Sequence, residues 1–193
     1  MLASIGVAVE RVFKQVGAAG LRAGVIGYGH VGSLVANALA LGGADVRVYD
    51  VNESVAPDVE AAGMTWWSQP SLADELDILV PAAAGGMLTP STAETCGAGL
   101  IVGPANNQIT EDRVDEILHH RGITWVPDVL ASGGGVAYAV SRETLGLNQA
   151  DSNARVDAIG QTTTALFAQM DQDNSTPLKA ARRLAARRII GAA

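Results

Sequence analysis

Cysteine is almost absent from the sequence, which has a single one, Cys96, among its 193 residues. A lone cysteine cannot form a disulfide within the chain, and no neighbouring histidine is present to activate its thiol. We therefore interpret Cys96 as a small residue beside a buried strand. Every apolar stretch is interrupted before it reaches membrane-spanning length, and the first residues lack the pattern of a secretory signal. These absences predict a cytoplasmic protein with no membrane partner.

Basic residues are also scarce, and the formal net charge is −7. A surface that binds nucleic acid must neutralise phosphates with Lys and Arg, so this balance argues against a nucleic-acid partner. The one basic cluster contains Arg182, Arg183, Arg187 and Arg188. Their helical spacing beside apolar residues predicts a solvated helix face near a C-terminus. We predict no metal site.

Hydrophobic residues make up 48% of the chain and alternate between short apolar runs and helical patterns. Continuous apolar strands separated by crossover helices are typical of a parallel sheet that is covered on both faces. The sequence therefore predicts an α/β fold with a doubly wound parallel sheet. The predicted strands lie near residues 23–27, 45–50, 64–66, 77–81, 99–103 and 123–126.

Helical patterns flank this predicted sheet at both ends of the chain. Residues 4–17 place apolar side chains on one face and predict an amphipathic opening helix. After residue 130 two or three helices follow; one stripe runs from Val156 to Met170, and Thr176 and Pro177 begin the last helix. We predict a single domain over residues 1–193. Within it, residues 1–20 contain the opening helix, residues 21–130 the sheet and residues 131–193 the C-terminal helices.

The first predicted strand leads into the glycine motif GYGHVG, which opens a helix. In this GxGxxG pattern Gly27 allows a tight turn, Gly29 lets the backbone approach a pyrophosphate, and Gly32 lets helix and strand pack closely. His30 and Val31 would begin the helix beside the phosphates. A strand, this motif and a helix in succession indicate a Rossmann-type site for a dinucleotide.

An acidic residue, Asp50, ends the second predicted strand, 18 residues beyond Gly32. Its carboxylate can accept hydrogen bonds from the adenosine ribose hydroxyls, with Val51 beside it, and it would repel a 2′-phosphate. At about 4 Å and an effective dielectric near 20, two unit charges interact by roughly 4 kcal/mol. Arg47, the nearest cation, should point to the opposite face of the strand. The sequence therefore predicts NAD as the cofactor, with NADP as the alternative.

From Ala3 to its end, the chain resembles the cofactor-binding half of the Glu/Leu/Phe/Val amino-acid dehydrogenases, with the phenylalanine and leucine enzymes most similar. The resemblance rests on the order and spacing of several blocks. These blocks are GVIGYGHVG, the acid of VYD, DILVPAAAGGMLTPST, IVGPANNQIT, HHRGITWVPDVLASGGGV and TPLKAARRLAARR.

The resemblance implies positions for several site residues. Ala82, Ala83 and Ala84 would lie on the nicotinamide side of the crevice and act through their backbone. Asn106 matches the family residue whose side chain reaches the substrate and the nicotinamide ribose; alternatively, it is a turn residue that closes a strand. The family usually has Asn at the position of Ser132 and Cys at that of Ala82. Both replacements shorten the side chain.

The family's catalytic lysine and proton-transferring aspartate lie in a separate N-terminal domain, which has no counterpart among these residues. The two lysines here, Lys14 and Lys179, lie outside any glycine-rich segment. Three interpretations follow. The chain is a reductase that delivers hydride to a protonated or alkylated C=N bond of a small-molecule substrate, a non-catalytic NAD-binding subunit, or the excised cofactor domain of an amino-acid dehydrogenase.

A reductase of this size leaves its cofactor half-covered, so we expect a homodimer or a partner subunit to close the crevice. Asp128, Ser132 and Tyr138 are candidate proton donors beside the nicotinamide. Each also has a structural explanation: Asp128 as a helix cap, Ser132 as a helix start and Tyr138 as a packing residue.

Overall fold

A six-stranded parallel sheet forms the centre of the computed structural model, which describes residues 1–191 apart from the side chains of residues 189 and 190. The order across the sheet is β3-β2-β1-β4-β5-β6, the doubly wound order that the sequence predicts. Each strand overlaps its predicted range. The strands are β1 (Arg22–Ile26), β2 (Asp45–Tyr49), β3 (Thr65–Trp66), β4 (Leu76–Pro81), β5 (Ala98–Ile101) and β6 (Thr124–Trp125).

Ten helices surround this sheet within the described residues. They are α1 (Leu2–Phe13), α2 (His30–Leu41), α3 (Ala56–Ala61), α4 (Pro90–Thr95), α5 (Arg113–His120), α6 (Asp128–Ala131), α7 (Gly134–Ala139), α8 (Gln149–Asp157), α9 (Ile159–Asp173) and α10 (Pro177–Gly191). A π-helical turn, Val140–Thr144, continues α7. None of these helices combines the length and the apolar composition needed to cross a bilayer.

Alternate strand residues build two cores, one on each face of the sheet. Val25 and Val80 face α1, α2 and α9 through a buried cluster that includes Val9, Val35 and Leu166. On the other face, a second cluster joins the strands to α4 and α5; it includes Ile26, Leu79, Trp125, Ala93 and Leu118. Both faces of every central strand are therefore covered, which explains why the strands read as continuous apolar runs.

Two predicted helix limits differ from the observed ones. The opening helix ends at Phe13 rather than residue 17, because Lys14 adopts a left-handed conformation (φ 56°) and donates its N–H to the carbonyl of Glu10. The stripe from Val156 to Met170 is divided at Ala158 into α8 and α9. Beyond residue 130 the chain also forms more and shorter helices than the two or three expected. The last helix begins at Pro177, as predicted.

Candidate functional site

The glycine loop, residues 27–32, lies where the strand order reverses between β1 and β4. Gly27 has φ 110°, and a Cβ there would lie 2.7 Å from the carbonyl carbon of Ala82 and from the nitrogen of Ala83. A Cβ on Gly32 would lie 2.0 Å from the carbonyl oxygen of Gly27. These two glycines therefore form the tight turn and the close helix–strand contact that the motif predicts.

Gly29 differs from its two neighbours, because a Cβ at this position would meet no atom within 4 Å. It precedes α2, which begins at His30, and both His30 and Val31 are exposed. The first N–H groups of an α-helix have no partner within the helix, and those of α2 lie at the N-terminus that follows Gly29. The space beside Gly29 is thus suited to an anionic group such as a pyrophosphate.

Asp50 follows β2 and is bonded to the backbone of the glycine loop. One carboxylate oxygen accepts the Tyr28 N–H at 2.6 Å, and the other accepts the Asn52 N–H at 2.8 Å. A carboxylate offers about four lone-pair directions, so these two bonds leave acceptor capacity for further hydroxyls. Val51, beside it, is 86% exposed. The carboxylate fixes the loop and can still accept hydrogen bonds from a ligand.

Successive backbone contacts extend the crevice from β1 across β4 to β5. The Ala82 N–H donates to the carbonyl of Ile26 at 2.8 Å, and the exposed Ala83 and Ala84 follow. A Cβ on Gly85 would lie 2.4 Å from the carbonyl oxygen of Asn106. The segment after β4 therefore lies between the glycine loop and Asn106. Gly85 lies within the block DILVPAAAGGMLTPST, but nothing in that block singles it out as a close contact of Asn106.

Three candidate residues from distant parts of the chain meet at the far end of this crevice. We call Asn106, Asp128 and Ser132 the amide cluster. The Asp128 carboxylate accepts the Asn107 N–H at 2.8 Å, and Ser132 Oγ lies 3.1 Å from Asn106 Oδ1. Together with Val129, Val136 and neighbouring backbone, Asn106 and Ser132 line an open cleft of about 740 Å³. The fold thus places all three at one site.

Two of the three structural explanations offered for the candidate proton donors, those for Asp128 and Ser132, need correction. The Asp128 carboxylate does not cap its own helix; it binds the Asn107 N–H, 21 residues away in sequence. Ser132 follows the end of α6 rather than starting a helix. The Tyr138 hydroxyl donates to Gln149 Oε1 at 2.8 Å, which joins α7 to α8. Tyr138 therefore makes a polar contact between helices.

The backbone that carries Asn106 is held by Gln108, which the sequence analysis missed. Gln108 is fully buried, and its amide nitrogen donates to the carbonyl oxygens of Gly103 and Ala105. Its Oε1 accepts the Trp125 indole N–H at 3.0 Å. Because glutamine is usually exposed, its burial gives no signal in the hydropathy pattern.

Cys96 and the two lysines lie outside the segments that form the crevice. Burial raises the pKa of the Cys96 thiol, which keeps it protonated and supports its interpretation as a packing residue. Lys179 forms an ion pair with Glu116, and Lys14 follows α1. Among residues 1–191, no cluster of His, Cys, Asp or Glu has the arrangement to hold a metal ion.

A doubly wound parallel sheet with a glycine loop at its switch point is the Rossmann-type architecture, which is typical of dinucleotide-binding domains. The family model described as Glutamate/Leucine/Phenylalanine/Valine dehydrogenase matches residues 51–193. The chain therefore belongs to this amino-acid dehydrogenase family.

Relatives of several substrate types match the same part of the chain. Valine dehydrogenase from Streptomyces coelicolor is 34% identical over 173 residues, which cover 86% of this chain and 47% of that enzyme. Leucine dehydrogenase from Bacillus cereus is also 34% identical and covers 86% of this chain and 45% of that enzyme. Because these identities are equal, they do not distinguish between the two substrates.

The fold has a matching structural neighbour in L-tryptophan dehydrogenase from Nostoc punctiforme, with a TM-score of 0.92 and 30% identity. This match covers 98% of the present chain and 57% of the neighbour. Together with the sequence relatives, it shows that the chain spans about half the length of the dehydrogenases it matches.

Proposed function

We propose that the crevice binds NAD(H), with the pyrophosphate beside Gly29 and the adenosine ribose on Asp50. Support comes from the open space at Gly29 and from the unused acceptor capacity of the Asp50 carboxylate. The fixed negative charge of this carboxylate favours NAD over NADP, whose 2′-phosphate it would repel. The observation that carries the proposal is the contrast between the open Gly29 and the closely packed Gly27 and Gly32.

We further propose that the chain is an oxidoreductase that acts on a C–N bond and reduces imine or iminium compounds. Its relatives are named for valine, leucine and tryptophan, which indicates a substrate with a carbon–nitrogen centre. The bound nicotinamide would supply or accept the hydride. Neither lysine of the chain lies at the crevice, so the chain offers no lysine there to activate water for deamination.

In such a reduction, the chain's own residues would bind the nicotinamide and the substrate and orient them toward each other. Hydride transfer to an existing C=N bond requires a short, aligned approach between the two reactants more than it requires an acid or a base. The backbone of residues 82–84 would support one side of the nicotinamide, and Asn106 would fix its position through a hydrogen bond. Ser132 and Asp128 would act by holding Asn106.

A second candidate function is that of an NAD-binding subunit whose catalytic partner is another polypeptide. Val129 and Val136 are 72% and 70% exposed in the cleft beside the amide cluster. Exposed apolar side chains at the rim of a site favour coverage by another protein surface. In either case we propose that a second copy or a partner subunit covers this cleft and excludes water from it.

One set of assays distinguishes these functions. The purified chain is first titrated with NADH and NADPH by calorimetry. It is then supplied with NADH and cyclic imines or iminium compounds, and separately with 2-oxo acids plus ammonia, while NADH absorbance is followed. Turnover of imines alone supports the reductase, and binding without turnover supports the subunit. Absence of any uptake of nicotinamide nucleotide would overturn both.

A further inference from the structure

The hydroxyl group of Ser132 lies close to two acceptor atoms but has only one proton. Its Oγ is 2.6 Å from the carbonyl oxygen of Asp128 and 3.1 Å from Oδ1 of Asn106. A carbonyl oxygen can only accept, so the Asp128 contact requires the Ser132 proton. The same contact, from a serine to the carbonyl four residues earlier, recurs at Ser141 and Ala137 at 2.7 Å.

Once the Ser132 proton is committed to Asp128, Ser132 Oγ can only accept from Asn106. The two ends of an asparagine amide have nearly the same shape, so either end can occupy the position beside Ser132. Rotation of the Asn106 amide by half a turn places Nδ2 against Ser132 Oγ and satisfies both groups. This rotation turns Oδ1 away from Ser132, on a residue that is exposed and lines the open cleft.

The main chain around Asn106 leaves this rotation as the principal freedom of the residue. On its C-terminal side, the Asn107 N–H is bonded to the Asp128 carboxylate at 2.8 Å. On its N-terminal side, the carbonyls of Gly103 and Ala105 are bonded to the buried amide of Gln108 at 2.8 and 3.0 Å. The segment is therefore preorganised, and the orientation of one amide decides which hydrogen-bonding group the ligand meets.

We propose that Ser132 orients Asn106 as a hydrogen-bond acceptor, so that the crevice selects a ligand group that carries an N–H donor at this position. The proposal rests on the function proposed above. Two donors of this chemistry are available there: the carboxamide NH₂ of the nicotinamide and the N–H of a protonated imine. Asn106 is the residue that contacts the ligand, and Ser132 is a positioning residue that acts through it.

Nuclear magnetic resonance of the free, ¹⁵N-labelled full chain tests the orientation without any ligand. The Asn106 side-chain resonances are identified by their absence in Asn106→Asp. We expect nuclear Overhauser contacts from these NH₂ protons to the β protons of Ser132, and a shift of the resonances in Ser132→Ala. The matched control Ser141→Ala removes an equivalent helix bond elsewhere and should leave them unchanged. Absence of the contacts together with no shift in Ser132→Ala would overturn the proposal.

Binding and turnover test the acceptor role. Asn106→Asp keeps an acceptor oxygen for the ligand but loses the NH₂ that faces Ser132, whereas Asn106→Leu loses both. Asn106→Asp should therefore be impaired, but less than Asn106→Leu, in NADH binding or in the KM for imines. If the carboxamide is the donor, Asn106→Leu should bind NADH about tenfold more weakly. The wild type should then also bind reduced 3-acetylpyridine adenine dinucleotide, which lacks the amide NH₂, about tenfold more weakly.

If the protonated imine is the donor, Asn106→Leu should instead bind NADH normally and raise the KM for imines about tenfold. An Asn106→Asp variant as impaired as Asn106→Leu in both measurements would overturn the acceptor role. Failure of the wild type to bind NADH would instead refute the proposed function, while the resonance experiment would still report the amide orientation.

Discussion

The two sides of the crevice are built in different ways. On one side, the glycine loop and Asp50 lie within 24 residues of one another and interact mainly through backbone atoms. On the other side, side-chain hydrogen bonds join Ser132 to Asn106 and to the Asp128 carbonyl, and the Asp128 carboxylate to the Asn107 N–H. The comparison shows that a site formed by backbone atoms can be predicted from a local sequence motif. A site formed by side chains depends instead on how distant segments of the chain meet.

The glycine loop combines a closely packed position, Gly32, with an open one, Gly29. Of the substitutions considered, one at Gly32 should have the largest effect on the free energy of unfolding. A Cβ there would lie 2.0 Å from a backbone oxygen and 3.1 Å from the Cβ of Ala82, neither of which can move freely. We expect Gly32→Ala to lower the free energy of unfolding by about 3 kcal/mol or more, as measured by urea denaturation. The control Gly6→Ala, in an exposed turn of α1 with no atom near its Cβ, should be neutral or slightly stabilising. Equal stability of the two variants would contradict the close contact.

Gly29 should respond in the opposite way, because its surroundings are open. Its φ of −72° is accessible to any residue, and nothing lies near its Cβ. We expect Gly29→Val to change the free energy of unfolding by about 0.5 kcal/mol or less, while its side chain fills the space proposed for the pyrophosphate. NADH affinity by calorimetry should fall at least about a hundredfold. Unchanged affinity would remove the proposed phosphate site from this loop.

The same contrast explains how much of the molecule could be predicted from the sequence. The strands and their order follow from apolar runs and one local motif, so they were predicted correctly. The helix limits at Lys14 and Ala158 were not, because a left-handed residue and a break between two apolar stripes leave no clear pattern. Local conformation at those two points overrode the amphipathic pattern.

Within the candidate site, the residues were predicted but their partners were not. The resemblance to the dehydrogenases indicated Asn106, Asp128 and Ser132 without showing that they contact each other. Asp128 and its backbone partner Asn107 are 21 residues apart, and Ser132 is 26 residues from Asn106. Hydrogen bonds over such separations are decided by strand order and loop path, which leave no local sequence signal.

Substitution of Asp50 tests whether the glycine-loop side of the crevice also determines the choice between NADH and NADPH. We expect Asp50→Arg to lower NADH affinity about tenfold and to raise NADPH affinity, because it replaces repulsion of the 2′-phosphate with attraction. It also removes the bond to the Tyr28 N–H. The control Asp50→Asn keeps an acceptor for that N–H without the charge, so it separates loop order from electrostatics. An unaltered preference between NADH and NADPH in Asp50→Arg would exclude Asp50 from the site.

Asp115, like Asp50, is a carboxylate that accepts a backbone N–H, but it lies away from the crevice and so provides a comparison with Asp50. It is 2% exposed on α5, and its oxygens accept the Leu178 N–H in the first turn of α10. Burial raises the pKa of Asp115 above its ordinary value of 3.8, although the neighbouring Thr176 and Leu178, and the nearby His119 and Lys179, act in the opposite direction. The folded protein therefore binds this proton more tightly than the unfolded chain does.

This linkage fixes the sign of the smallest predicted effect. Ionisation of Asp115 lowers the stability of the folded state as pH rises from about 3.8 through its raised pKa. Asp115→Asn keeps an oxygen for Leu178 but does not ionise, so its stability relative to the wild type should increase over that pH window, by about 1 kcal/mol at most. Hydrogen bonds from Arg182 and Lys179 lower the pKa values of the exposed Asp112 and Glu116, so the effect of these two groups on stability has the opposite sign. Both groups are present in the wild type and in Asp115→Asn, so their contributions largely cancel in the difference between the two proteins. Thermal denaturation of the wild type and Asp115→Asn between pH 3 and pH 7 measures this difference in stability. A difference that does not change with pH would contradict ionisation of Asp115 in its buried position. Because Asp115 lies away from the crevice, NADH affinity should stay unchanged, unlike that of the Asp50 variants.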